Sequence, residues 1–153
     1  NKKELVVYIS MGFGNPYGDA FNAEIVANWA EKMNKTGIKI IALSDTVGVA
    51  NNHIITELFT SLIPQYPNIE FGAHFHATND TWQMEIESAY QAGCYRFDGA
   101  IGGFGGCPMV EDELVGNINT QNMIRYFENQ GVNLGLDKDE FTKSVDTSKN
   151  IFI

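Results

Sequence analysis

The chain has few cysteines and few basic residues. Its two cysteines, Cys94 and Cys107, form no C-x-x-C pair, which argues against a disulfide scaffold and favours two thiols in a reducing cytosol. We therefore expect a cytoplasmic location. Ten basic residues stand against nineteen acidic ones, a net charge of −9. Such a chain repels phosphates, so we expect no nucleic-acid partner.

Long apolar runs are also missing. The longest strand-like stretch, 38–43, falls far short of the roughly 18 residues of a membrane span, so we expect no membrane partner. Hydrophobic residues make up 44% of the chain and charged residues 19%, a balance that argues against intrinsic disorder. The 153 residues suffice for one domain with a core, spanning 1–153.

Strand-like and helix-like segments alternate along the chain. This alternation predicts an α/β fold with a parallel sheet, which could be an open doubly wound sheet or half of a (β/α)₈ barrel. A proline at position 64 is expected to end the second helix, and Asn79 or Asp80 to cap the third. The predicted strands are 5–11, 38–43, 69–74 and 94–98, and the predicted helices are 23–33, 53–62, 81–92, 120–129 and 138–145.

Polar residues cluster where the predicted strands end. Asn15 follows the first strand, Asp45 the second, His74 and His76 the third, and a glycine-rich loop with Cys107 the fourth. Both candidate folds place ligands at the carboxyl ends of parallel strands. The sequence therefore predicts a functional site at this edge of the sheet.

His74 and His76 form an H-x-H at the end of the third strand. Side chains two apart on a strand point the same way, so both imidazoles could reach one metal ion. The alternative is a pair of solvated loop histidines. The third histidine, His53, opens a predicted helix and is expected on the surface.

Asp45 and Cys107 each allow two interpretations. Asp45 either caps the turn after its strand or points a carboxylate into the site. Cys107, flanked by glycines and Pro108, is either a small buried hydrophobe or a functional thiol on a loop that can close over a ligand. Its position favours function, whereas Cys94 is expected in the core.

Taken together, the segments resemble the 3-hydroxy-3-methylglutaryl-CoA lyase family of metal-dependent barrel enzymes. The Gly-Gly-Cys-Pro loop is the most specific element, and H-x-H is shared by the wider superfamily. The order and spacing of the matches run through nearly the whole chain. The matching segments are 14–18, 44–49, 73–76, 98–108 and 116–117.

The resemblance implies a fold and a set of residue roles. The fold is the C-terminal half, strands five to eight, of a (β/α)₈ TIM barrel. His74, His76 and Asn117 look like ligands of a divalent metal, Mg²⁺ or Mn²⁺. The catalytic residues would be Cys107, Asp45 and His74, and the substrate-binding residues would be Asn15, Gly105 and Gly106.

The activity implied by the resemblance is cleavage of 3-hydroxy-3-methylglutaryl-CoA to acetyl-CoA and acetoacetate, a step of leucine degradation. The partner would be an acyl-CoA substrate. An exposed inner sheet face and two open sheet edges would favour a homo-oligomer or pairing with an N-terminal half.

Two departures from the family leave alternatives open. The family's first strand carries an Arg-Asp pair that has no counterpart here, so the chain alone could be a folded but inactive fragment. The other alternative is a condensing enzyme of the isopropylmalate-synthase type. Those enzymes resemble H-x-H-N-D, whereas Ala77 and Thr78 follow the histidines here.

Overall fold

The computed structural model describes residues 3–106 and 115–151. The strands are β1 (Val6–Ile9), β2 (Ile40–Asp45), β3 (Glu70–Ala77), β4 (Arg96–Asp98) and β5 (Gly116–Asn117). The helices are α1 (Ala23–Lys35), α2 (Asn52–Gln65), α3 (Trp82–Gln91), α4 (Thr120–Asn129) and α5 (Lys138–Ser148), with a 3₁₀ turn at Ile101–Gly103.

The sheet places its long strands in the order of the chain. Strands β1, β2, β3 and β4 are parallel, and each pairs with the next along the chain. This confirms the predicted α/β fold with a parallel sheet. Within residues 3–106 and 115–151 the sheet is open, with β1 and β4 at its edges. The sequence did not predict β5, which pairs antiparallel with the end of β3.

The two faces of the sheet differ in chemistry because successive side chains alternate between them. Phe71, Ala73 and Phe75 of β3 belong to the hydrophobic core with the helices. Gly72, His74 and His76 therefore lie on the opposite side, which we call the inner face. Other inner-face residues follow from the strand register: Tyr8, Ala42, Ser44, Arg96 and Asp98.

The core is formed by the helix-facing side of the sheet and one stripe of each packed helix. Its fully buried side chains include Ile41 and Leu43 of β2 and Ile86 of α3. Helix α2 contributes the largest group, namely Ile55, Leu58, Phe59 and Leu62. Burying these side chains is the main stabilising term, about 1.5–3 kcal/mol for each large one.

Local signals at the helix ends were predicted with mixed success. Asn22 caps α1 by accepting from the backbone N–H of Ile25 at 2.9 Å. Pro64 does not stop α2, which continues to Gln65; so close to the end, a proline disrupts little of the helix. The cap predicted at Asn79 or Asp80 is wrong, since α3 begins after Thr81.

None of the helices within 3–106 and 115–151 has the length and hydrophobicity needed to cross a membrane.

Candidate active site

His74 and His76 lie side by side on the inner face of β3. Their ring centroids are 5.1 Å apart and the ring planes are perpendicular. Two imidazoles that bind one ion at about 2.1 Å need nitrogens within roughly 3–4 Å of each other, which this separation permits. Both residues belong to the strand and His76 is buried. The alternative of two solvated loop histidines is therefore wrong.

His76 has one ring nitrogen fixed by the neighbouring strand. Its Nδ1 lies 2.9 Å from the backbone oxygen of Asp45. A carbonyl oxygen only accepts, so this hydrogen bond requires the proton on Nδ1 and selects Nε2 as the nitrogen that can act as a ligand. Histidines that bind metals commonly have their other nitrogen held in this way.

The surroundings of His74 favour its neutral form. Burial lowers the pKa of His74 and His76 lowers it further, while the Asp98 carboxylate raises it. A neutral imidazole is the form that binds a cation or accepts a proton. Its buried Nδ1 has no hydrogen-bond partner among the described residues.

Asn117 reaches this pair of histidines through β5. In the antiparallel register Asn117 stands opposite His76, so the two side chains share a face. The amide nitrogen of Asn117 donates to the backbone oxygen of Phe104 at 2.9 Å. The amide oxygen is then the atom left to act as a ligand. The three residues predicted to bind metal are thus brought together.

The glycine loop holds Asn117 from the other side. The backbone N–H of Asn117 donates to the carbonyl oxygen of Gly105 at 3.0 Å, and Gly106 forms a bridge with Gly116. Gly105 has a φ of 88°, a left-handed conformation that suits glycine. These contacts give Gly105 and Gly106 a role in supporting Asn117, and their predicted contact with substrate stays a prediction.

Asp45 points away from the histidines. It follows Ser44 at the end of β2, so its side chain lies on the helix-facing side, where it is fully buried. Its carboxylate oxygens accept from the backbone N–H groups of Val49 at 3.0 Å and Ala50 at 2.8 Å. These are the contacts of the turn-capping alternative, and a catalytic role for Asp45 stays a prediction. Burial raises the pKa of Asp45 despite these hydrogen bonds.

Asn15 uses its side chain to organise its own loop. Its Oδ1 accepts from the N–H groups of Tyr17 and Asp19 at 3.0 and 3.1 Å, and its Nδ2 donates to the Asp19 carbonyl at 3.1 Å. This network is that of an Asx-turn. A substrate contact through Asn15 stays a prediction.

The two cysteines and the remaining histidine complete the predicted residues. Cys94 is fully buried, as expected, and burial raises the pKa of its thiol to about 12, so it is unreactive. His53 is exposed on α2, also as expected. Cys107 lies outside the described residues.

A cleft opens beside Asn117 at the carboxyl end of β3. Its volume is about 430 Å³, large enough for part of a small-molecule ligand. Carboxamide residues contribute to its wall, together with Asp80 and Trp82. The amide residues are Asn79, Asn117, Asn119 and Asn122.

Comparison with known families identifies the chain. The family described as HMGL-like matches residues 6–147, which include β1–β5 and the predicted ligands. The chain belongs to the HMGL-like family.

Individual relatives agree with this assignment. The HMGL-like chain is 33% identical over 131 residues to an (R)-citramalyl-CoA lyase of Chloroflexus aurantiacus, matching 86% of the chain and 41% of that protein. It is 32% identical over 133 residues to a hydroxymethylglutaryl-CoA lyase of Bacillus subtilis, matching 86% of the chain and 44% of that protein.

A solved structure extends the likeness to the fold. An HMG-CoA lyase of Acinetobacter baumannii, in complex with coenzyme A and 3-methylmalate, aligns with a TM-score of 0.83 and 29% identity. The alignment covers 95% of this HMGL-like chain and 48% of that one. The chain thus spans less than half the length of these relatives.

The donor set of this HMGL-like chain fits a divalent cation in part. Two imidazoles and an amide oxygen suit an ion with mixed nitrogen and oxygen ligands. The buried, unpartnered Nδ1 of His74 and the fixed Nδ1 of His76 are consistent with such a site. Within 3–106 and 115–151, however, no three His, Cys, Asp or Glu residues cluster as a metal site. Further ligands would have to come from elsewhere.

Sequence reasoning missed a tyrosine–carboxylate pair at this site. The hydroxyl of Tyr8 on β1 donates to Oδ2 of Asp98 on β4 at 2.7 Å. Asp98 stands beside His74 in the register. The alternation of the first strand could have placed Tyr8 on the inner face, but no local pattern indicates its partner.

Sequence reasoning also missed Glu85, a carboxyl group enclosed behind the site. It lies on α3, is 1% exposed, and its Oε2 has no partner among the described residues. Burial raises its pKa to about 8, the charge of Asp45 raises it as well, and a hydrogen bond with Thr81 opposes the shift. Glu85 is therefore largely protonated near neutral pH.

Proposed function

We propose that the full-length protein is a divalent-metal-dependent lyase that cleaves 3-hydroxy-3-methylglutaryl-CoA to acetyl-CoA and acetoacetate. One observation carries the proposal: His74, His76 and Asn117 converge on one face at the carboxyl end of β3. They do so in a member of the HMGL-like family whose relatives include lyases of this type.

The proposed ligands are the two histidines and the amide oxygen of Asn117. A bound divalent cation would acidify the tertiary hydroxyl of the substrate and so favour its alkoxide. The Nδ1 of His76 is engaged by the Asp45 carbonyl, so Nε2 is the nitrogen of this ring that is left to bind the cation. His74, kept neutral by its lowered pKa, is the candidate to receive the hydroxyl proton.

Proton transfers complete the proposed reaction. Loss of the hydroxyl proton is followed by cleavage of the carbon–carbon bond, which leaves acetoacetate and the enolate of acetyl-CoA. We assign Cys107, still protonated, the delivery of a proton to this enolate. We assign the glycine loop the exclusion of water from the site, and Asp45 the support of the loop behind His76.

We propose further that the sheet is the C-terminal half of a (β/α)₈ barrel. The chain spans 41–44% of its relatives, and its sheet has two open edges in the part described. A complementary half would supply the carboxylate ligand and the arginine that the resemblance leads us to expect. Without that half, the 153-residue chain would be folded but inactive. Mass spectrometry of the native gene product tests this, because a product near 17 kDa would contradict it.

A second substrate is favoured by one specific observation. The (R)-citramalyl-CoA lyase is 33% identical to this chain. Both substrates carry a hydroxyl and a carboxylate near the bond that breaks, so the same proton transfers would serve either. Parallel assays with the two thioesters distinguish them, and a condensation assay with acetyl-CoA and an α-keto acid tests the synthase alternative.

The decisive experiment measures cleavage by the full-length protein with Mg²⁺ or Mn²⁺ and after chelation. We expect chelation to abolish turnover and added cation to restore it. His76→Ala should abolish metal-dependent turnover, whereas His53→Ala, a histidine exposed on α2, should not. Turnover that survives chelation, or that is normal in the His76 variant, would overturn the proposal.

A further inference from the structure

His74 and His76 differ in how their rings are held. The ring of His76 is fixed by a hydrogen bond from Nδ1 to the Asp45 carbonyl. The buried Nδ1 of His74 has no such partner among the described residues. The orientation of His74 must therefore come from the groups packed around it.

Tyr8 is the main group packed against His74. The two rings meet edge to face, with centroids 5.7 Å apart and an interplanar angle of 85°. This is a favourable aromatic geometry, worth about 0.5–1.5 kcal/mol beyond the area that it buries. The ring of His76 also meets the ring of His74 at a right angle.

Tyr8 is itself anchored across the sheet. Its hydroxyl donates to Asp98 on β4 at 2.7 Å, although two strands separate β1 from β4. The inner-face row between them holds Ala42 and Gly72, next to Tyr8 in the register. The small side chain of Ala42 leaves room for the phenol ring, and the Arg96 side chain lies over Gly72.

Asp98, which accepts the hydrogen bond from Tyr8, also lies beside His74. The two residues are directly paired between β3 and β4, and the charge of Asp98 acts on the His74 ring. One carboxylate therefore accepts from Tyr8 and adjoins the same imidazole against which Tyr8 packs. Tyr8, His74 and Asp98 are therefore mutual neighbours on the inner face.

We propose that Tyr8 and Asp98 are positioning residues that orient His74 toward the ligand point it shares with His76. The ligand role of His74 rests on the proposed function, whereas the orientation of its ring does not. Tyr8 does for His74, through packing, what the Asp45 carbonyl does for His76 through a hydrogen bond. Loss of such outer support typically lowers metal affinity by about 10–100-fold.

The test compares Tyr8→Phe, Asp98→Asn and a control, Tyr95→Phe, in the full-length protein. Tyr8→Phe keeps the aromatic ring but removes the hydroxyl that donates to Asp98. Asp98→Asn keeps an oxygen that can accept from Tyr8. Tyr95 is 78% exposed and meets Tyr90 edge to face instead. We expect about a tenfold loss of Mn²⁺ affinity by calorimetry in Tyr8→Phe, a smaller loss in Asp98→Asn and none in Tyr95→Phe.

Imidazole ¹⁵N spectra of the metal-free protein give the readout that does not depend on metal. The chain has three histidines, so their signals can be assigned with single His→Ala variants. We expect Tyr8→Phe to shift or broaden the His74 signals and leave those of His53 unchanged. If wild type fails to bind Mn²⁺, the proposed function fails, and the spectra still decide the role of Tyr8. Unchanged His74 signals in folded Tyr8→Phe and Asp98→Asn variants would overturn this inference.

Discussion

The amide nitrogen of Asn117 lies 3.0 Å from the point at which a Cβ atom on Gly105 would stand. This is closer than side-chain carbons normally approach a neighbour, so any other residue at position 105 must displace Asn117. Gly105 also has a φ of 88°, which costs an L-residue about 1–2 kcal/mol. The glycine is therefore tied to the position of a proposed ligand.

Gly105→Ala is expected to weaken cation binding by about tenfold or more, because the displaced Asn117 amide no longer shares a point with His76. Mn²⁺ titration of the full-length protein measures this. Gly131→Ala is the matched control: it has a φ of 78°, and no neighbouring atom lies within 4 Å of the point where its Cβ would stand. It should carry the backbone strain alone and bind the ion normally. Equal Mn²⁺ affinity in both variants would contradict the assignment of Asn117.

Glu85→Gln should change how stability depends on pH. The pKa of Glu85 rises from 4.5 to about 8 on folding, so between these values the folded state keeps a proton that the unfolded state loses. The stability that this proton contributes to the folded state is fully present below about pH 4.5. It is lost as pH rises through 8, by up to about 1.4 kcal/mol per pH unit. The amide, which does not titrate, removes this slope.

Urea unfolding between pH 5 and 9 measures the effect of Glu85→Gln. The variant should gain stability relative to wild type as pH rises. Glu4→Gln is the control for the removal of one carboxylate, because Glu4 is exposed just before β1. Parallel stability curves for wild type and Glu85→Gln would refute the protonated state of this carboxyl.

Asp45→Asn separates a structural from a catalytic carboxylate. An amide can accept from only one of the Val49 and Ala50 N–H groups, so a buried donor is left unsatisfied. The expected cost is about 1–3 kcal/mol of unfolding free energy. Asp137→Asn, at an exposed helix cap that also accepts from two N–H groups, should cost about 1 kcal/mol or less. A fall in kcat with unchanged stability would instead indicate a direct catalytic role for Asp45.

Cys107→Ser tests the thiol predicted from the sequence. A serine hydroxyl is a much weaker acid than a thiol with a pKa near 8.5, so turnover should fall by about 10² or more. Metal affinity should be unchanged. Cys94→Ser is the control and should reduce stability more than turnover, since its thiol is fully buried. Near-normal turnover in Cys107→Ser would require another proton donor.

Much of the fold follows from the sequence because its signals are local. The alternation of apolar strands with amphipathic helices correctly predicts the parallel order β1–β4, and the two-residue spacing of His74 and His76 correctly predicts a shared face. These patterns depend only on residues close together in the chain.

The side-chain positions that the sequence did not predict depend on strand register. Asp45 was expected in a loop beyond the second strand, but β2 includes it, and the register pairs it with Phe75 rather than with His74. A shift of one residue moves a side chain to the other face. The pairing of Asn117 with His76 and the contact of Tyr8 with Asp98 join residues 41 and 90 positions apart, for which no local pattern exists.

Strand β5 has a consequence for how the site responds to its ligand. Asn117 is held by a ladder of only two residue pairs, His76 with Asn117 and Ala77 with Gly116, together with the carbonyls of the glycine loop. So short a ladder adds little free energy of its own. Any ion or substrate bound through Asn117 must therefore stabilise this ladder by the same amount that the ladder strengthens binding. Protection of the Asn117 amide from hydrogen exchange should then rise in step with occupancy, making this amide a reporter of ligand binding.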